Sequence, residues 1–274
     1  MNIVFLENFF KMKDLHILIC EGNTPEEGKN FKDAGIKTHT ESLKESLSYY
    51  NKNLKIDVLN PCLELDINKI IPNLKKYDGL IWGGSSLNIY NDTIEIRRQI
   101  AFMKECFKNV KNVLAICWGM QVAVTAAGGE VKKSVNGSHI GIANSVKLTQ
   151  YGLKNLFYKD KNHTFNTPAF NFDEVVKIPI GSIHLAYNKI NKIQGLQFTY
   201  GISDIWGIQY HPEITYEKMI SIIKFRKDRL INQRKIFKNY KEIDEHVNFI
   251  ENENKISKKN SRMIELRNWM DLIS

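Results

Sequence analysis

The sequence predicts an α/β fold of three layers. A mostly parallel central sheet carries an antiparallel extension, and a C-terminal helical tail follows. Three observations lead there. Short apolar runs alternate with stretches of helical periodicity as far as Ala127, the pattern of βαβ units and a parallel sheet. From about Ser145 to Gln209 the chain turns to short strands joined by turns. Beyond about Arg226 the strand signal ends and only helical spacing remains.

Leu15–Cys20 (LHILIC) is an apolar run closed by the turn formers EGNTPEEG, which predicts a buried strand and a loop. Thr40–Asn51 spaces Leu43, Leu47 and Tyr50 as a helix does. Leu54–Leu59 alternates as a strand and stops at Asn60-Pro61. Ile67–Leu74 reads as a short helix, and Gly79–Trp82 as a third strand running into Gly83-Gly84-Ser85-Ser86. Thr93–Asn109 places Ile96, Ile100, Met103 and Phe107 at helical spacing. Asn112–Ile116 is a fourth strand, and Gly119–Ala127 a small-residue helix ended by Gly128-Gly129. Ser145–Thr149, Asp173–Ile178, Ile183–Asn188, Gln194–Thr199 and Ile205–Gln209 read as strands of the antiparallel extension, before a helix from Thr215.

The chain has 274 residues, 43% hydrophobic and 25% charged. That fits one large domain with an appendage, divided here as 1–225 and a helical extension, 226–274. The extension holds 12 Lys/Arg and 8 Asp/Glu, net +4. It is expected to form two or three amphipathic helices packed on the domain or on a partner. The opening MNIVFLENFF contains Glu7 and lacks a basic start and a small-residue cleavage site. It is read as an extension before the first strand rather than a signal peptide. No run approaches the ~18 apolar residues of a membrane span, so no membrane partner is expected. Cys20, Cys62, Cys106 and Cys117 show no CxxC spacing and no clustering with histidine. Free thiols in a reducing cytoplasm are therefore expected, with no metal site. The net charge of +9 follows a Lys-, Asn- and Ile-rich composition. Without Arg–aromatic interleaving, nucleic acid is not an expected partner.

Three segments carry chemistry. In Asn112–Gly129 a buried strand ends at Cys117 and a helix starts at once. Such a turn lifts the side chain above the carboxyl edge of the sheet, where ligands of these sheets bind. The helix start favours a thiolate and offers an N–H to an oxyanion. In Ile205–Ile214 a strand ends at His211-Pro212-Glu213. Proline fixes the backbone there, so a carboxylate can orient an imidazole that accepts a thiol proton. In Asp78–Ser86, Gly83 and Gly84 follow a strand and permit close approach of backbone N–H groups. With the N–H of Trp118 they would complete an oxyanion hole. Phosphate binding is the competing reading of that pair, although no GxGxxG or Walker pattern follows.

These residues resemble the class I, or triad, glutamine amidotransferases over about residues 15–222. The family's G-x-C-x-G-x-Q reads here Ala115-Ile116-Cys117-Trp118-Gly119-Met120-Gln121, and its Q-x-H-P-E is present as Gln209-Tyr210-His211-Pro212-Glu213. Asn171-Phe172-Asp173-Glu174-Val175, with Ile178-Pro179-Ile180-Gly181, is similar to H-x-D-x-V…L-P-x-G, with Asn171 where the pattern often has histidine. GGSSLNIYNDTIEIRRQIAF, the cysteine segment and the tail's ELRNW look most like stand-alone proteins similar to the amidotransferase domain of GMP synthase. The tail is far too short for an ATP-pyrophosphatase domain, so a complete GMP synthase is not expected. The resemblance implies a flavodoxin-like sheet and no cofactor. It implies attack by Cys117 on the glutamine side-chain amide, with His211 moving the proton and Glu213 orienting it. Gly84 and Trp118 would bind the oxyanion beside Gly83, Gln121 would hold the glutamine, and Asn171 would lie on the substrate loop.

Two enzyme readings follow: ammonia release from L-glutamine for a partner synthetase, or hydrolysis of a γ-glutamyl bond in another small molecule. A scaffold that has kept the fold without catalysis is a third, weakened by the joint presence of Cys117, His211 and Glu213. The sequence leaves open the ammonia acceptor and assembly into a homo-oligomer.

Overall fold

The computed structural model describes residues 14–274; the opening MNIVFLENFF lies outside them. In chain order come β1 (His16–Cys20), α1 (Pro25–Asp33), α2 (His39–Tyr50), β2 (Lys55–Leu59), α3 (Ile67–Leu74), β3 (Gly79–Trp82), α4 (Ile94–Asn109), β4 (Asn112–Ile116) and α5 (Trp118–Ala126). Then follow β5 (Glu130–Lys133), β6 (His139–Ile140), β7 (Ala143–Leu148), β8 (Thr164–Thr167), β9 (Phe170–Asn171), β10 (Asp173–Lys177), β11 (Ile183–Tyr187), β12 (Gly195–Tyr200) and β13 (Ser203–Ile208). α6 (Tyr216–Phe225), a π-helical turn (Arg229–Gln233), α7 (Tyr240–Ile256), α8 (Lys259–Arg262) and α9 (Ile264–Ile273) complete the chain.

The described residues form a nine-stranded central sheet in the order β2-β1-β3-β4-β13-β12-β11-β7-β8. Its first five strands run parallel, in the strand order of flavodoxin-like sheets. The rest pair antiparallel. β3 and β4 are apolar without alternation because helices cover both faces of the sheet. Successive residues of β1 supply both layers. Leu18 and Cys20 face a core with Trp82, Met103 and Met120, whereas Ile17 and Ile19 face one with Leu43, Leu114 and Trp269.

Two strands differ from expectation. Ile205–Gln209 joins the two halves of the sheet: β13 pairs antiparallel with β12, as expected, and also parallel with β4, with Ile205 opposite Val113. Direction follows from which sheet edge is open when the chain returns from β12, and local pattern does not hold that information. Asp173–Ile178 leaves the central sheet altogether, and β10 pairs with β5 in a separate ribbon. α1 and the edge strand β8 were not anticipated. α1 buries only Phe31 and is otherwise polar, so it carries almost no periodic signal.

The tail packs on the rest of the chain. Met263, Leu266, Trp269, Met270 and Ile273 share the core of Ile17 and Leu43, and Val247 and Ile250 of α7 close over Ile220 and Ile223 of α6. No helix among the described residues is long and apolar enough to cross a membrane.

Candidate active site

β3, β4 and β13 are neighbours, so Gly83, Cys117 and the segment leading to His211 leave the sheet side by side at its carboxyl edge. Between β4 and α5 Cys117 takes φ 54°, ψ −103°, a conformation that strains a side-chain-bearing residue by ~1–3 kcal/mol. The surroundings hold it there. Its N–H donates to the Ile208 carbonyl (2.7 Å), and its carbonyl accepts from the Gln121 N–H (3.2 Å). Gly119 permits the turn, because a Cβ there would lie 2.3 Å from the Trp82 carbonyl oxygen.

His211 is 1% exposed and Glu213 2%. Their Nδ1···Oε1 distance is 2.7 Å, which leaves Nε2 of His211 as the nitrogen free to exchange a proton. Cys117 follows β4 and His211 follows its neighbour β13, and the Cys117 sulfur is near enough to act on the charge of that ring. Burial opposes charge on His211, but the Glu213 carboxylate and then Cys117 outweigh it and raise the imidazole from 6.5 to about 10. Burial likewise favours a neutral Glu213, yet His211 and His39 hold it well below the usual carboxylate range. The loop bearing Glu213 is fixed from two sides. Ser46 Oγ donates to the Glu213 carbonyl (3.2 Å). The Arg262 guanidinium donates to the carbonyls of Pro212 and, at 2.9 Å, Ile214.

Of the expected oxyanion donors, Gly83 is already committed: its N–H donates to the Cys20 carbonyl (3.1 Å), and its carbonyl accepts from the Gly119 N–H (3.2 Å). It positions the loop. The N–H groups of Gly84 and Trp118 meet no backbone acceptor among the described residues. Gly84 lies so close to His211 that a Cβ would sit 2.8 Å from its Cε1. Gln121 contacts Gln209 (3.5 Å), whose amide in turn donates to the Cys117 sulfur (3.4 Å). Asn171 lines the cavity with Cys117, Trp118 and Gln121. Its amide, however, bonds His139 Nδ1 (3.0 Å) and the Asp173 carbonyl (2.9 Å).

The sequence reading missed Gln209 as a contact of the sulfur, and also Gln99 and His39. Gln99 is fully buried and accepts from the indole N–H groups of Trp82 (3.2 Å) and Trp118 (2.7 Å), fixing the ring beside Cys117. His39 opens α2 and stacks on His211 with ring centroids 5.1 Å apart. Its Nδ1 is 3.9 Å from Glu213, too far for a hydrogen bond. Burial lowers it to about 4, against the pull of Glu213. The Thr38–Glu41 capping box marks the helix start that presents it. His39, His211 and Glu213 offer ligand atoms within 4.8 Å of one another. The 2.7 Å bond between two of them is shorter than ligands spread around an ion at ~2.0–2.2 Å would allow. It is the arrangement of a base and its orienter.

Comparison with known proteins agrees with this geometry. The sequence model of "Glutamine amidotransferase class-I" matches residues 33–226. A gamma-glutamyl-L-1-hydroxyisopropylamide hydrolase of Pseudomonas sp is 33% identical over 207 residues, 74% of this chain and 69% of that protein. Gamma-glutamyl peptidase 4 of Arabidopsis thaliana is 28% identical over 62% of this chain and 65% of its own length. A glutamine-hydrolyzing GMP synthase subunit of Sulfolobus acidocaldarius is 28% identical over 57% of this chain and 79% of that protein. In fold, the chain matches a glutamine amidotransferase from Thermotoga maritima with a TM-score of 0.66 at 19% identity, covering 95% of this chain and 98% of that one. The chain belongs to the class I glutamine amidotransferase family.

Proposed function

We propose that this protein hydrolyses the γ-amide of a γ-glutamyl substrate through a Cys117 thioester. The observation that carries the reading is a cysteine at a strained strand–helix turn, within reach of an imidazole that a buried carboxylate orients. The thiolate attacks the amide carbon, and the oxyanion is met by the N–H groups of Gly84 and Trp118. His211, protonated with Glu213 behind it, gives its proton to the departing nitrogen as the C–N bond breaks. Water then adds to the thioester, His211 takes up its proton, and glutamate leaves as the thiolate is restored.

L-glutamine is the first substrate reading, with ammonia passed to a partner synthetase; the likeness to the Sulfolobus GMP synthase subunit supports it. The second reading, a γ-glutamyl conjugate cut to glutamate and an amine, is favoured by the 33% identity to the Pseudomonas hydrolase. Four free cysteines suit a reducing, cytoplasmic setting. Residues 226–274 are proposed as a helical extension of the 1–225 catalytic domain. The test is release of ammonia from glutamine against release of ethylamine from γ-glutamylethylamide. Turnover of either by wild type and of neither by Cys117→Ala is expected, and undiminished turnover by the variant would remove the mechanism.

A further inference from the structure

Above Cys117 lies a small cavity lined by Ser86, Asn88, Trp118, Gln121, Asn171 and Asp173 among others. One wall is built from Arg226, Arg229 and Arg234, all from the segment after α6. Three guanidinium groups on one small cavity repel one another, and a protein keeps such an arrangement only where anions balance it. The balance inside the protein is partial. Arg226 is matched, donating to Glu27 and to Ser86 Oγ (2.5 Å). Arg234 donates to Asn88 Oδ1 (3.2 Å) and lies over the Phe172 ring at 4.4 Å, with Asp173 within charge range but not bonded to it. The Arg229 guanidinium makes no hydrogen bond or ion pair among the described residues, although it is partly buried; Glu27, already bound by Arg226, acts on it only at longer range. The one acid on the wall, Asp173, is held by Asn88 Nδ2 (2.7 Å) and Tyr90 OH (3.0 Å).

The backbone shows why Arg229 and Arg234 act together. The turn over Arg229–Gln233 is π-helical, closed by the Arg234 N–H on the Arg229 carbonyl at 2.9 Å. In an α-helix residues five apart point to well-separated faces. The wider turn brings them to one side, here toward the cavity. Single π-turns recur where a protein must aim side chains at a site. The wide turn, the unpaired guanidinium and the cavity ending on the nucleophile agree with one another.

We propose that Arg229 and Arg234 form a carboxylate-binding wall of the substrate pocket, holding a carboxylate remote from the scissile amide. This rests on the reading of Cys117 as an amide-cleaving nucleophile. Planar guanidinium groups side by side suit a carboxylate, which each can bind with two parallel N–H···O bonds. Two substrate groups offer that chemistry: the α-carboxylate of the γ-glutamyl moiety, and a carboxylate on the amine side of the amide.

Calorimetric titration of the full chain carrying Cys117→Ser separates these sources without turnover. γ-Glutamylethylamide carries the α-carboxylate alone, and γ-glutamylglycine adds one on the amine side. Arg229→Gln in that background is expected to raise Kd by about ten-fold, the loss of one charged hydrogen bond. Arg229→Lys, which keeps the charge but not the fork, is expected to fall between. Weakening of both ligands assigns the α-carboxylate, and weakening of γ-glutamylglycine alone assigns the amine-side group. Changes under two-fold for both ligands in both variants would overturn the proposal, as would no binding of either to Cys117→Ser. If ligands bind in this way while wild type releases neither ammonia nor amine, the catalytic reading fails and the wall stands.

Discussion

At the scale of single residues the site rests on two features that its neighbours enforce, a strained turn and a stabilising buried ion pair. Cys117 at φ 54° is one. Glycine relaxes that conformation, so Cys117→Gly is expected to be about 1 kcal/mol more stable than Cys117→Ala in urea unfolding. At Ala123, inside α5, glycine should instead destabilise by about 1 kcal/mol. Equal stability of the two Cys117 variants would mean the turn carries no strain. The His211–Glu213 pair is the other. Removing the imidazole with His211→Gln leaves a buried carboxylate unmatched, at about 3–5 kcal/mol near neutral pH. Because the fold raises His211 from 6.5 to about 10, its contribution is complete below pH 6.5 and is lost as the pH climbs toward 10. The stability gap between wild type and His211→Gln should therefore narrow from pH 7 to pH 10. A gap that stays constant would contradict the raised imidazole.

Elements explain how much of this was legible in the sequence. β1, β3 and β4 were readable because burial on both faces leaves uninterrupted apolar runs, and Cys117 and His211 were readable because each follows such a run. What escaped depends on partners distant in sequence. Gln99 looks like any polar residue of α4 until two indoles converge on it. His39 gains its place only when α2 meets the segment after β13, and Arg229 and Arg234 share a side only through the π-turn. Arg262, in the short α8, was hidden for the same reason, yet it holds the carbonyls on both sides of Glu213. Arg262→Ala should lower kcat by about ten- to a hundred-fold, since small misplacements of catalytic groups cost that much. KM should change little, and Arg262→Lys should recover part of the loss. A rise in KM at constant kcat would show that Arg262 does not act through the Glu213 loop.

The whole molecule ties the tail to the carboxyl edge of the sheet through one core. Trp269 is fully buried among side chains of β1 and α2, although it lies more than 200 residues along the chain from them. Trp269→Ala should destabilise the protein by about 3–5 kcal/mol. Unfolding should remain a single transition, read identically by far-ultraviolet dichroism and by tryptophan fluorescence. Separation into two transitions would show that the tail melts on its own.

The most direct test of the catalytic centre is site-resolved mass spectrometry after limited exposure to an electrophilic glutamine analogue. Burial pushes Cys62 up to about 12 and raises Cys20 and Cys106 well above the ordinary thiol range, whereas Cys117 stands beside an imidazolium. The expected result is a single adduct, on Cys117, that disappears in His211→Gln. Equal modification of all four cysteines, or labelling of Cys117 that survives loss of His211, would contradict an activated nucleophile.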